Sequence, residues 1–283
     1  MIYKTIIDVQ ELAEHIGDSN WVIVDCRFDL TDPEASRLAY NKSHLPGAVY
    51  AHLDKDLCGE IIPGITGRHP LPIVEDFVER LSKWGITSGI QVVTYDDKGG
   101  ALAAGLLWWM LRWLGHESVA VLNGGWQHWV DKNLPIQSVI EGRFPKSFTP
   151  RLRSELIVTA EKVMDMTVDP DSLVFDSRVS ERYRGEFEPI DPIAGHIPGA
   201  RLASHPDVLG SDGLFLPADT LNEYFNALLD VVPAEKSAFY CGSGVTAVQN
   251  ILALNHAGLG EAKLYAGSWS EWITDPDRPI EKG

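Results

Sequence analysis

Cys241 lies in the run Phe239, Tyr240, Cys241, Gly242, Ser243, Gly244, Val245, Thr246, Ala247, where a short apolar strand passes through a glycine-punctuated loop into a helix. That setting suits a nucleophile. A thiolate reacts far faster than a thiol, and backbone N–H groups converging at a helix N-terminus stabilise a negative sulfur without a metal. Gly242 and Gly244 lack a Cβ, so the loop can curl and aim several N–H groups at one point, with Val245 and Thr246 continuing the cradle. Ser243, two residues after the cysteine, can turn its hydroxyl toward the atom that the sulfur attacks. The competing reading is a buried, inert cysteine, since free cysteine is among the most buried residue types. Phosphoryl chemistry is disfavoured: a Cys-x5-Arg cradle needs a guanidinium to grip a tetrahedral dianion, and the sixth residue after Cys241 is Ala247.

Anion binding calls for arginine, whose planar fork holds a carboxylate through two parallel hydrogen bonds. Arg182 and Arg184, in Glu181, Arg182, Tyr183, Arg184, Gly185, Glu186, follow an apolar strand ending at Asp176 and are the candidates; a solvated surface arginine is the alternative for each.

The elements that must position these groups come in two copies. Val22 to Arg27 (VIVDCR) echoes Leu173 to Arg178 (LVFDSR), His44 to Ala48 (HLPGA) echoes His196 to Ala200 (HIPGA), and Asn123 to Trp129 (NGGWQHW) echoes Ala266 to Trp272 (AGSWSEW). The spacing is too long for a solenoid unit and fits a duplicated domain. Strands are expected at Trp21 to Asp25, Gln91 to Tyr95 and Val119 to Leu122, and again at Leu173 to Asp176, Ala238 to Tyr240 and Ala262 to Tyr265. Helices are expected near 73–84, 100–114, 218–229 and 245–256, with Asp8 and Thr159 as caps of the first helix of each copy. Near-continuous apolar strands alternating with helices predict an α/β fold, two tandem domains each with a parallel sheet flanked by helices. Ligands of such sheets bind beyond the strand C-termini, where Cys241 falls. Pro135, Pro145 and Pro150 mark the stretch from Leu134 to Leu156 as a linker, so the expected domains are 1–145 and 146–283. The Gly/Pro-rich stretch from Gly59 to Pro72 reads as a long loop at the sheet edge of the first copy.

Matching the copies puts Asp96 opposite Cys241, and an aspartate does not replace a thiolate nucleophile, so the first domain is expected to be catalytically inactive. Because His44 and His196 occur in both copies and the cysteine in one, a structural role is favoured for the histidines. Trp269 and Trp272, repeated as Trp126 and Trp129, read mainly as core.

The chain of 283 residues is long enough for two compact domains, and its formal charge of −16 disfavours nucleic acid or an anionic membrane as partner. No secretory signal or membrane-length apolar run is read. Cys26, Cys58 and Cys241 are an odd set without paired spacing, which favours a reducing compartment, the cytoplasm, and no structural metal.

The loop CGSGVTA resembles the active-site loop of the 3-mercaptopyruvate sulfurtransferases of the rhodanese superfamily, whose thiosulfate-using relatives typically carry basic residues after the cysteine. Gly195 to Ala200, Asp176 to Arg178 and Gly267 to Trp272 agree with it, and the resemblance covers nearly the whole chain. It implies two rhodanese-like domains, the first inactive, and a persulfide on Cys241. It also implies that Ser243 works with a histidine and an aspartate, at positions matching His69 and Asp54. The residue types alone equally fit a small cap, a loop histidine and a turn former. The resemblance favours Arg182 as a substrate arm; many members carry a second arginine after a Glu-Pro pair, but here Glu188, Pro189 precede Ile190, which leaves Arg184 as a candidate substitute. The expected function is transfer of sulfane sulfur from 3-mercaptopyruvate, a small-molecule donor, to a thiol or cyanide, with a thioredoxin-like protein among the candidate acceptors and no cofactor or metal. Thiosulfate as the donor, or a non-catalytic sulfur-carrier module, are the alternatives.

Overall fold

The computed structural model describes residues 2–140 and 142–283. The chain forms two compact units. The first comprises 1–59, 72–153 and 211–215, and the second 60–71, 154–210 and 216–283.

The first unit is built on β1 (Ile6–Ile7), β2 (Trp21–Asp25), β3 (Val49–Tyr50), β4 (Gln91–Tyr95) and β5 (Val119–Leu122), all parallel in the order β1-β5-β4-β2-β3. The central strands β2, β4 and β5 are buried at every residue, as expected of a parallel sheet covered on both faces. Its helices are α1 (Val9–Ala13), α2 (Pro33–Lys42), α3 (Val74–Lys83), α4 (Ala103–Trp113) and α5 (Gly125–Asp131). Helix α4 is apolar all round apart from Arg112 and every residue of it is buried, the signature of a helix enclosed by its domain. A short π-helix, Leu53–Leu57, follows β3.

The second unit repeats the plan with β6 (Leu173–Asp176), β7 (Arg201–Leu202), β8 (Ser237–Tyr240) and β9 (Lys263–Leu264), parallel in the order β7-β6-β8-β9. Ile157 bridges Leu264 in parallel and so stands where β1 stands beside β5. Its helices are α6 (Ala160–Val168), capped by Thr159, whose Oγ1 accepts the Lys162 N–H, then α7 (Ser180–Tyr183), α8 (Ala218–Leu229), α9 (Ala247–His256) and α10 (Ser268–Trp272).

The first unit continues beyond residue 145 because the proline-rich stretch is fastened to it. The Arg151 and Arg153 N–H groups donate to the Leu114 and Trp113 carbonyls at 2.8 Å, and Phe148 is buried beside His116. Prolines there fix the backbone without freeing it. The loop 60–71, expected with the first copy, belongs to the second unit, and 211–215 belongs to the first, where the Phe215 N–H donates to Asn123 Oδ1 at 3.0 Å.

The buried arginine of each copy shows why the repeat motifs persist. Arg27 grips Asp25 through Nε and Nη2 and donates to the Ser43 carbonyl; Arg178 grips Asp176 the same way and donates to Gly195. Each guanidinium also lies over a tryptophan, Trp126 at 4.1 Å and Trp269 at 4.8 Å. His44 and His196 hydrogen-bond through Nδ1 to the carbonyls of Tyr40 and Tyr183 and stack on those rings. Both histidines tie a loop to a helix.

Candidate active site

Cys241 leaves the C-terminal end of β8 and is 2% exposed. Its carbonyl accepts the Trp269 N–H at 3.0 Å, the Gly242 carbonyl accepts the Ser270 N–H at 2.9 Å, and its own N–H donates to Ser268 Oγ at 3.0 Å. The Ser268 hydroxyl in turn donates to the Tyr265 carbonyl at 2.9 Å. The sulfur-bearing residue is thereby fixed from α10 and not from its own loop. Ser268 holds this post at φ +54, a left-handed conformation that costs a residue with a Cβ about 1–2 kcal/mol. Gly244 (φ +82) makes the turn into α9, and a Cβ there would lie 2.3 Å from the Ala266 carbonyl oxygen, so the close approach demands glycine. Val245 is 4% exposed, and Thr246 is the residue from which α9 starts.

The first unit shows what the loop geometry can hold. Asp96 follows β4 as Cys241 follows β8, and its carbonyl accepts the Trp126 N–H at 2.8 Å, as Cys241's accepts that of Trp269. The Asp96 carboxylate collects four backbone N–H groups: Lys98 at 2.8 Å and Gly100 at 2.9 Å on one oxygen, Leu102 at 3.2 Å and Ala104 at 3.3 Å on the other. Burial pushes this carboxyl up, and the N–H donors pull the other way. These donors explain why α4 begins at Ala103 rather than at Gly100. The first unit fills its own anion nest with a side chain. Counted along the sequence from Cys241, Ser243, Val245 and Ala247 stand at the positions matching Lys98, Gly100 and Leu102.

Ser243 Oγ and His69 Nδ1 are 2.7 Å apart within the second unit. His69 arrives on the loop 60–71, which is docked by the Arg68 N–H donating to Ser270 Oγ at 3.0 Å. Gly67 allows that docking, since a Cβ on it would lie 2.6 Å from the Gly267 carbonyl oxygen and 2.7 Å from Ser270 Oγ. Ser270 thus touches both the Cys241 loop and the His69 loop. Asp54 belongs to the first unit, where it is exposed on the π-helix.

Arg182 reaches the Cys241 loop: a Cβ on Gly242 would lie 3.3 Å and 3.4 Å from its Nη2 and Nη1. Its Nε and Nη2 donate to Glu188 at 3.0 and 2.8 Å, and Nη2 also to Asp191 at 3.1 Å. Glu188 is buried, which raises its carboxyl, but hydrogen bonds from Arg182 and from the Asp191 and Ile190 N–H groups bring it below its ordinary value. Burial pushes the Asp191 carboxyl up against the opposing pull of Arg68. Arg184 points elsewhere: it pairs with Glu186, donates to Ser180 Oγ and is 41% exposed. Sequence reasoning missed Arg68, Glu188, Asp191, Ser268 and Ser270. Only Ser268 carried a usable signal, by replacing in the second copy the Gly125 of the first, which has φ +55.

Among the described residues, no group of three or more His, Cys, Asp and Glu side chains is placed to hold a metal ion, and no helix is long and apolar enough to cross a membrane. The three cysteines are free and buried.

Comparison with known proteins agrees with this architecture. The model of the rhodanese-like domain matches residues 8–132 and 159–275. A Pseudomonas aeruginosa protein named as a probable 3-mercaptopyruvate sulfurtransferase is 43% identical over 279 residues, 98% of either chain. The Arabidopsis thaliana mitochondrial thiosulfate/3-mercaptopyruvate sulfurtransferase 1 is 30% identical over 98% of this chain and 78% of its own. Among solved structures, the 3-mercaptopyruvate sulfurtransferase from Leishmania major superposes with a TM-score of 0.84 at 30% identity, covering 98% of this chain and 75% of that one. With a matched domain in each half of the sequence and relatives aligned along almost its full length, the chain belongs to the rhodanese family.

Proposed function

We propose that the protein is a sulfurtransferase that takes sulfane sulfur from 3-mercaptopyruvate through a persulfide on Cys241. The observation that carries this reading is the 2.7 Å pairing of Ser243 with His69 beside a cysteine whose loop is cut for an anion. The Cys241 thiolate attacks the donor's sulfur, forming the S–S bond as the C–S bond breaks, and the electron pair departs onto carbon as the enolate of pyruvate. That carbon needs a proton, whereas the donor's thiol must lose one. Ser243, hydrogen-bonded to His69, is suited to carry the proton from sulfur to carbon, so the step balances with no outside acid. The persulfide anion rests on the N–H groups of Ser243, Val245 and Ala247, as the Asp96 carboxylate rests on theirs in the first unit, with Gly242, Gly244 and Thr246 shaping the loop. A thiol or cyanide then removes the outer sulfur and restores the thiolate.

Arg182 supplies a guanidinium for the donor's carboxylate in this reading. Asp54 has its own test, since Asp54→Asn should slow mercaptopyruvate turnover if that carboxylate supports His69. A thioredoxin-like acceptor and a cytoplasmic setting are part of the proposal, supported by three unpaired thiols and the acidic charge of −16. With the division at 1–145 and 146–283, the second domain would carry the nucleophile loop and the first, inactive itself, would contribute His69 through the loop 60–71.

Thiosulfate is the second donor to consider, because a relative is named for both substrates. Gly242 and Ser243 bring no positive charge of their own, so stabilisation of departing sulfite would fall to the Arg182 and Arg68 guanidinium groups beside Gly242, while the Ser243–His69 pair favours the donor whose carbon needs a proton. Steady-state turnover with each donor, cyanide as acceptor, tests the assignment together with mass spectrometry after donor treatment alone. Preference for mercaptopyruvate and one extra sulfur on the Cys241 peptide are expected. A persulfide confined to Cys26 or Cys58, or stoichiometric loading without turnover, would overturn it.

A further inference from the structure

One residue, Ser270, holds the backbone on both sides of the Ser243–His69 contact. Its N–H donates to the Gly242 carbonyl at 2.9 Å, the carbonyl of the peptide that leads into Ser243. Its Oγ accepts the N–H of Arg68 at 3.0 Å, one residue before His69, and donates to the Gly267 carbonyl at 3.4 Å. Gly67 lets the loop press against the same spot, since a Cβ on it would lie 2.7 Å from Ser270 Oγ and 3.3 Å from the Glu271 nitrogen. Ser270 is 8% exposed, so little water reaches this hydroxyl. The fold by itself does not call for it. In the first copy Gln127 stands at the matching place after Trp126, and it directs its amide to Asp131 at 2.7 Å, one turn along its own helix. The hydroxyl contact is therefore particular to the copy that carries the cysteine, and its partner is the loop that carries His69.

We propose that Ser270 is a positioning residue that sets the separation of His69 and Ser243, and so governs the proton relay while acting only through that pair. The proposal rests on the sulfurtransferase reading. The two anchors of Ser270 lie one residue from His69 and one peptide from Ser243, so few torsions are left to absorb a shift between them. Without the hydroxyl the Arg68 N–H loses its acceptor, while the Ser270 N–H still holds Gly242. Arg68 keeps its ion pair with Asp191, which tethers a long side chain and leaves the backbone free to move. The His69 loop therefore shifts and the nucleophile loop does not, because the Cys241 N–H is held by Ser268 and its carbonyl by Trp269. A relay that works across 2.7 Å is sensitive to such a shift, and a misplacement of about 1 Å costs on the order of 10²-fold.

Ser270→Ala should lower kcat for 3-mercaptopyruvate by about ten- to a hundredfold, with KM within about threefold and thiosulfate turnover within a few-fold. The same substitution in a His69→Ala background should cost less than about twofold, because its effect runs through His69. A serine that merely supported the Cys241 loop would slow both donors and keep its cost in that background, and either result would overturn the inference. Gly67→Ala, which pushes the loop off Ser270 with the hydroxyl still present, should reproduce the pattern of Ser270→Ala. Hydrogen exchange read by mass spectrometry supplies an arm that needs no turnover. In Ser270→Ala, peptides spanning 60–71 should exchange faster and those spanning Cys241 at the unaltered rate. Unchanged exchange over 60–71 would overturn the inference even if activity fell. If the unaltered protein does not turn over 3-mercaptopyruvate, the functional reading fails, and the exchange pattern still decides whether Ser270 sets the His69 loop.

Discussion

Removing either Ser243 or His69 should cost the same catalytic step, because the 2.7 Å contact makes them one device. In the proposed mechanism Ser243→Ala deletes the hydroxyl that would face the donor, and His69→Ala leaves the hydroxyl but takes away the group that would exchange its proton. Positioned acid–base help is worth roughly 10²- to 10⁴-fold, or about 2.7–5.5 kcal/mol of barrier at 1.36 kcal/mol per tenfold. Each single variant should lose that factor in turnover of 3-mercaptopyruvate, and the double variant should lose no more than the larger single. Independent contributions would multiply to about 10⁴–10⁸. His69→Asn separates hydrogen bonding from proton exchange, since an amide nitrogen near the Nδ1 position can still meet Ser243 Oγ but does not titrate. It should keep the loop in place and remain as slow as His69→Ala. Pyruvate release measures the reaction with 3-mercaptopyruvate, and sulfite release provides the control, because sulfite departs as a stable anion with no carbon to protonate. Thiosulfate turnover should therefore stay within a few-fold in all four variants. Losses that multiply, or an equal slowing of both donors, would show that Ser243 shapes the loop instead of moving a proton.

Gly244→Ala should reduce turnover of both donors together, since a Cβ 2.3 Å from the Ala266 carbonyl at φ +82 must displace the loop itself; faster hydrogen exchange at the Cys241 amide would accompany it. Asp96→Cys should raise mercaptopyruvate turnover by less than about twofold, because Asp97 and Lys98 stand where Gly242 and Ser243 stand, and mass spectrometry should find the productive persulfide still on Cys241. Glu188→Gln should destabilise the protein at neutral pH but not in acid. The Glu188 carboxyl is held below its ordinary value of 4.5, so its contribution is present above that value and is lost as pH falls through the lower folded one. Urea denaturation at pH 7 and pH 4 checks the sign, and a gap that widens in acid would refute it.

The strands and the duplicated plan were legible because parallel, doubly covered strands leave uninterrupted apolar runs, and VIVDCR and LVFDSR each end in an Asp-x-Arg clamp whose partners are local. Cys241 and its glycines were legible for a related reason: a nucleophile loop is written in consecutive residues. The two-residue strands β1, β3 and β7 left no periodicity to read, and the paired positions that define them lie far away in sequence. The arginine cluster was hidden for the same cause. Arg68, Asp191 and Gly242 meet only through the docking of one loop on Ser270, and nothing local in GRHPLP records that its arginine will face a cysteine loop. Arg184 illustrates the opposite error, because a neighbour in sequence with the right chemistry can be spent on Glu186 two residues away.

The two copies also explain each other's chemistry. Burial raises the Asp96 carboxyl, and four backbone N–H groups on it offset part of that cost. The backbone turn after β4 thus points its N–H groups at one side chain, with Gly99 and Gly100 in the left-handed region and the first turn of the following helix supplying donors. In the proposed mechanism the cysteine at the matching position of the second copy would place its persulfide among the N–H groups of the corresponding turn. The nest would then favour the charged intermediate over the resting thiol. What the nest cannot do is choose the donor, because it recognises charge and not the leaving group. In the proposed mechanism that choice falls to side chains outside the nest: the Ser243–His69 pair, 2.7 Å apart, would serve the carbon that must be protonated, and Arg182 beside Gly242 would serve the carboxylate. The first copy has Lys98 where the second has Ser243, so restoring a sulfur nucleophile at position 96 should fill that turn without restoring the selectivity.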